Sequence, residues 1–177
     1  MAITINASTT NGLVQTADNT GILQLQSNGT TNATLDVNGN FGLGITPLSN
    51  PYTGYKTLQI GAQGLISADT VTNGEVYIAD NLYRYASTAA FTYINSYAVA
   101  YYSQYQGAHR WFIAPSGTAG ATATTTQAMT LNNSGYLGIG TTSPSYPLDI
   151  GTTSSTNTSS LAAPPPGVIF VVNVANI

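Results

Sequence analysis

The chain has no cysteine, a single histidine (His109) and very little charge. Three side chains are basic (Lys56, Arg84, Arg110) and six acidic, 5% of 177 residues, where about a quarter is usual. Without cysteine there are no disulfides, no thiolate zinc site and no Cys nucleophile. One histidine cannot build a multi-His metal site within the chain, and no cofactor is expected. Three scattered cations cannot form the patch that displaces phosphate counterions, so nucleic acid is set aside as a partner. No apolar run approaches the ~20 residues needed to span a bilayer, so membrane insertion is not expected. The opening "MAITINASTT" lacks the basic and long apolar regions of a secretory signal, so export by that route is not expected. Helix formers with charged heads are scarce, whereas Ser, Thr, Asn and 18 Gly favour turns and strands. The fold class expected is all-β.

Period-two alternation places strands at Ile3 and Ile5, at Leu23 and Leu25, at Val76 and Ile78, and in "RWFIA". Between them fall turn signals such as Asn28-Gly29, Asn38-Gly39 and Asn73-Gly74. Eight of the twelve tyrosines lie between Tyr77 and Tyr105. Tyr97, Val99, Tyr101 and Tyr105 are expected on one face of a strand.

One segment occurs twice. "TLDVNGNFGLGIT" (34–46) aligns without gaps on "TLNNSGYLGIGTT" (130–142), which sets Gly42 on Gly138 and Gly44 on Gly140 at an offset of 96. Each copy runs through a proline, Pro47 or Pro144, to an L-x-I-G exit, residues 58–61 or 148–151. Glycines within a strand remove side chains where backbone approaches closely or the chain bends. On that ground the segments are expected to pack against copies of themselves. The chain then divides into an N-terminal β segment (1–33), a first G-x-G repeat (34–60), a central Tyr-rich β domain (61–129), a second repeat (130–150) and a Ser/Thr/Pro linker with a last strand (151–177). The centre is expected to be sandwich-like or jelly-roll-like, within an elongated trimer.

"MTLNNSGYLGIGTTSPSYPLDI" and "HRWFIAPSGTAG" resemble segments of bacteriophage tail-fibre and related virion appendage proteins, over roughly residues 20–150. The resemblance implies a homotrimer on the surface of the phage particle, assembled in the host cytoplasm. Its implied partners are other virion proteins of the tail or capsid, and a host cell-surface glycan or protein. In that family the motif often precedes an autocleaving chaperone with a Ser nucleophile and a Lys. This sequence departs from the pattern, since no Lys follows Lys56, and no such domain is expected.

Catalytic readings fare poorly. A triad drawn from His109, Asp80 and a serine has no G-x-S-x-G elbow. A glycosidase carboxylate pair would have to come from Asp69, Glu75 and Asp80, which read as turn formers. The G-x-G pairs lack the third glycine and helix of a phosphate cradle. The chain is therefore expected not to be an enzyme; a tailspike polysaccharide depolymerase and a capsid decoration or head-fibre protein are the alternatives. Candidate receptor contacts are Arg84, Arg110 and Trp111, beside tyrosines that suit sugar or protein binding. The apolar run Val168, Ile169, Phe170, Val171 and Val172 is the candidate assembly anchor, since such a strand must be paired.

Overall fold

The computed structural model describes residues 20–48, 54–70, 74–85 and 90–151, and in them the chain is all-β. The strands are β1 Leu23–Ser27, β2 Thr30–Leu35, β3 Phe41–Leu43, β4 Tyr55–Ile60, β5 Gly64–Asp69, β6 Val76–Asp80, β7 Leu82–Arg84, β8 Phe91–Tyr93, β9 Val99–Tyr105, β10 Ala108–Ala114, β11 Thr126–Leu131, β12 Leu137–Ile139 and β13 Leu148–Ile150. Eleven form one sheet in the order β1-β2-β3-β4-β5-β6-β9-β10-β11-β12-β13; β7 and β8 form a separate ribbon. Residues 34–60, 61–129 and 130–150 thus contribute neighbouring strands to a single sheet.

Tight turns set the register. Asn28 and Gly29 both have positive φ, as do Gln106 and Gly107, and each pair closes a two-residue hairpin, between β1 and β2 and between β9 and β10. That backbone matches the twist of the flanking strands. At the corner from β6 to β7, Asn81 is fully buried with φ 59°. Its amide nitrogen donates to the carbonyls of Asn95 and Tyr97 at 3.0 Å, and its Oδ1 accepts from the Asn95 backbone N–H at 2.7 Å. One asparagine side chain therefore ties the start of the ribbon to the chain entering β9.

The ribbon lies over the middle of the sheet. It is extended by the segment after β10, where Ala123 donates to Phe91 and Tyr93 donates to Ala121. Beneath it sits the core: Tyr55, Leu65, Tyr77, Ala79, Leu82, Tyr93, Val99, Tyr101, Ala114 and Ala123, with Phe91 and Phe112 packed against them. The aromatic members meet at 5–6 Å, edge to face or tilted, and Tyr101 stacks on Phe112 at 4.4 Å. Where a sandwich or jelly roll was expected, the second layer is this short ribbon: among the described residues from 81 to 98, only Leu82–Arg84 and Phe91–Tyr93 are in strands. Val99, Tyr101 and Tyr105 share a face of β9 as expected, but Tyr97 precedes the strand and is exposed.

The strand predicted from the alternation of Val76 and Ile78 forms, and its tyrosine face is the buried one. In β6 it is Tyr77 and Ala79 that are buried, while Val76 and Ile78 face outward. In β5, Leu65 and Ser67 are buried and Ile66 is exposed. These β-branched residues stand on the side of the sheet that no other described residue covers, called the uncovered side below.

The sequence repeat is a structural repeat, strand for strand. β2 pairs with β3 through Ala33↔Leu43, Thr34↔Gly42 and Leu35↔Phe41. β11 pairs with β12 through Met129↔Ile139, Thr130↔Gly138 and Leu131↔Leu137, the same register 96 residues later. The step to the parallel neighbour is also shared: Gly42 lies beside Gln59 as Gly138 lies beside Asp149. The hairpin turns agree. Asp36 Oδ1 accepts from the N–H groups of Asn38 and Asn40, and Asn132 Oδ1 from those of Ser134 and Tyr136. Even the preceding hairpins repeat. β1–β2 and β10–β11 each carry a bulge at equivalent places, Asn32 and Ala128 being the residues skipped, and the carbonyls of those two accept from Gly44 and Gly140.

The glycines have a reason within the chain. To bring β4 alongside β3 in parallel, the chain must cross over the sheet and return, and it passes directly above Gly42. A Cβ there would stand 2.2 Å from the Ile45 carbonyl oxygen and 2.8 Å from Pro47 Cδ; at Gly138 it would stand 2.8 Å from the Thr141 oxygen. Gly44 and Gly140, with φ 69° and 71°, turn the strand into that crossing, a conformation costly for other residues. Pro47 and Pro144 are buried in it. The chain's own crossover thus gives these glycines a close approach that needs no second copy.

Candidate functional site

Two surfaces carry the chain's chemistry, one on each side of the sheet. On the side left uncovered among the described residues, cross-strand neighbours form an unbroken row over eleven strands: Leu23, Leu35, Phe41, Leu58, Ile66, Ile78, Tyr102, Trp111, Met129, Ile139 and Ile150. Flanking rows add Leu25, Leu43, Ile60 and Ile113 on one side and Val76, Leu137 and Leu148 on the other. Ile78 is 53% exposed, Ile113 54% and Ile150 63%. Eighteen apolar positions, each ~4.8 Å across the strands by ~7 Å along them, make a face on the order of 600 Å², with Lys56, Asp80, Gln104 and His109 among the flanking positions. A monomer's largest apolar patch is usually a few hundred Å². The Tyr102 hydroxyl bonds His109 Nδ1, and Tyr102, His109 and Trp111 rings lie in contact on this face.

On the covered side, beyond the ribbon's edge, Glu75 holds four donors while only 5% exposed. Its Oε2 accepts from Arg84 Nη2 at 2.9 Å and the Tyr55 hydroxyl at 2.8 Å. Its Oε1 accepts from Arg110 Nη2 at 3.1 Å and Ser103 Oγ at 2.8 Å. These partners come from β4, β7, β9 and β10, so one carboxylate joins four strands to the start of β6. Each guanidinium also lies on rings: Arg84 over Phe91 at 4.4 Å and Tyr55 at 5.1 Å, Arg110 over Tyr105 at 4.4 Å and Phe112 at 5.5 Å. Between them opens a cleft of about 360 Å³, lined by Tyr55, Glu75, Arg84, Phe91, Tyr101, Tyr105, Arg110 and Phe112. Burial pushes the Tyr101 hydroxyl up to about 12. The Tyr55 hydroxyl is held well above its ordinary value, first by burial and then by its bond to Glu75.

The expected receptor contacts separate. Arg84 and Arg110 meet at Glu75, whereas Trp111, next in sequence to Arg110, points to the opposite face because side chains alternate along a strand. Glu75 was missed as more than a turn former. Nothing local in the sequence marks it, since its partners lie 9 to 35 residues away. Asp80 stands on the uncovered face, paired with Ala100, so Glu75 and Asp80 share no cleft within one chain. Among the described residues no group of three His, Asp or Glu side chains could hold a metal ion. The candidate anchor at Val168 to Val172 and the strand at Ile3 and Ile5 lie outside the described residues. No family model matches the chain, and no curated protein matches its sequence.

Proposed function

We propose that the chain is a structural protein of a bacteriophage particle, a short trimeric fibre or fibre-like appendage that displays its ribbon-covered side for attachment to a host surface. The observation that carries the assembly half of this reading is the apolar face that no other described residue covers. Covering ~600 Å² of it is worth on the order of 15 kcal/mol per chain before the costs of association. Three copies turning these faces inward would bury the rows against one another and leave the opposite sides outward. The phage half rests on the GIGTTSP-type segments and their resemblance to virion appendage proteins. The two copies of that segment have one geometry, as expected of a module reused along a shaft.

Light scattering on the purified chain should give three times the monomer mass; a monomer under native conditions would sink the assembly half. Labelling the protein on intact particles tests the rest. Signal at the tail supports a fibre, and signal over the head supports the capsid decoration alternative. Release of sugars from host-envelope polysaccharide would instead support the depolymerase alternative.

A further inference from the structure

We propose that the cleft between Arg84 and Arg110 binds a carboxylate-bearing pyranose, of the uronic acid class, with the carboxylate on the guanidinium pair and the sugar ring on the aromatic wall. For its biological meaning this rests on the reading of the chain as a displayed host-surface binder. Its chemistry stands on four observations.

The first is concentration of charge. Of three basic side chains in the protein, two converge here. They enclose one carboxylate, which leaves one formal positive charge in a chain whose net charge is −3. The second is unspent donors. Glu75 occupies one terminal nitrogen of each arginine, and the Nε groups of both are buried without a partner. A guanidinium presents a planar fork that matches a carboxylate bidentately.

The third is the wall. Phe91, Tyr105 and Phe112 are only half-buried and edge the cleft beside the arginines; one face of Phe91 and of Tyr105 carries a guanidinium and one of Phe112 carries Tyr101, and aromatic surface of this kind packs against the C–H face of a pyranose. The fourth is size. About 360 Å³ lies at the lower end of small-molecule sites, suited to one sugar ring rather than an extended chain. The charge count favours a carboxylate over a phosphate. A monoanion neutralises the surplus, whereas a dianion would set a second negative charge against the Glu75 carboxylate.

The test uses the full chain and ligand-observed NMR with calorimetry. Methyl glucuronide, methyl glucoside and acetate are the probes, differing in whether they carry the carboxylate, the ring or both. The glucuronide should bind at least tenfold more tightly than either of the others. Arg110→Lys and Tyr105→Leu should each weaken it at least fivefold while thermal melting shows the fold retained. Equal binding of glucuronide and glucoside would overturn the role of the arginines. Equal binding of glucuronide and acetate would overturn the saccharide. No binding by any probe to folded protein would overturn the site. A chain that binds glucuronide yet is absent from phage particles would remove the virion reading and leave the cleft's assignment intact; a chain present on particles that ignores glucuronide would do the reverse.

Discussion

Replacing Gly42 with alanine separates two explanations for the glycine pairs. A Cβ at that position falls 2.2 Å from the Ile45 carbonyl oxygen, 2.8 Å from Pro47 Cδ and 3.0 Å from Pro47 Cγ. The carbonyl must retreat by about 1 Å to reach an ordinary contact, and the proline behind it is buried. Overpacking of this kind costs roughly 1–3 kcal/mol. Moving the crossover also strains the bond from Gly44 N–H to the Asn32 carbonyl, 2.7 Å, worth about 1 kcal/mol. The expected loss is about 2–4 kcal/mol. Gly138→Ala meets its nearest oxygen at 2.8 Å and should cost less, about 1–2 kcal/mol. At Gly44 an added Cβ touches nothing, so only the left-handed backbone is penalised, about 1 kcal/mol. For a chain of this length each kcal/mol moves Tm by about 2–4 °C. Differential scanning calorimetry should therefore rank the three Gly42, Gly138, Gly44, from the most to the least destabilised. The reasoning is refuted if Gly42→Ala melts like wild type but no longer assembles, since the crowding partner would then be another chain.

Ile78→Asp places a charge at the middle of the uncovered face, where the side chain is half exposed in the single chain; analytical ultracentrifugation should find a folded monomer, and an unchanged oligomer would show that this face is not the interface. Glu75→Gln leaves Arg84 and Arg110 without a counter-charge and should cost about 2–3 kcal/mol in a urea melt, the partial exposure of both arginines holding it below the fully buried case. Stability should be constant up to about pH 10 and drain as pH rises toward 12. The unfolded chain ionises its tyrosines near 10 while burial keeps the proton on Tyr101 up to about 12, a difference of about 3 kcal/mol; melting curves flat across that range would contradict the buried setting of Tyr101. Asp36→Asn keeps the two turn bonds that Asn132 makes in the second copy but turns an amide NH2 toward the Asn40 amide, which donates to Asp36 Oδ2 at 3.0 Å while its own oxygen is held by Thr57 N–H; it should cost about 1 kcal/mol, and Asp36→Ala, which loses all three bonds, about 2 kcal/mol in a urea melt.

The brackets were legible because their information is local. Glycine at the crossing, glycine at the left-handed turn, an Asx residue at the hairpin and the proline behind all lie within a dozen residues, and each position tolerates few side chains. The matching of β1–β2 with β10–β11 was not legible, since "LQLQS" and "AHRWFIA" share a bulge and a register but no residues. Which face of each strand turns inward was not legible for a different reason. Alternation at Val76 and Ile78 marks a strand but does not say which of its two faces the chain covers. Here the interior is built from Tyr77, Tyr101, Ser67 and Ser103, and the aliphatic side faces away from it. The cleft stayed hidden because Tyr55, Glu75, Arg84, Ser103 and Arg110 are brought together only by the strand order, which places β6 beside β9.

The shared register of the two four-strand units has a consequence for how such a chain can vary. Each unit enters by a bulged hairpin and leaves by a parallel step, so the strand that follows always starts from the same position relative to the unit. Whatever is spliced between two such units, here β5 to β9, inherits fixed docking points at both seams and need only supply strands that continue the ladder. The intervening segment is in that sense a cassette. It can be exchanged, lengthened or diversified under selection for what it touches, while the flanking units keep the scaffold in register.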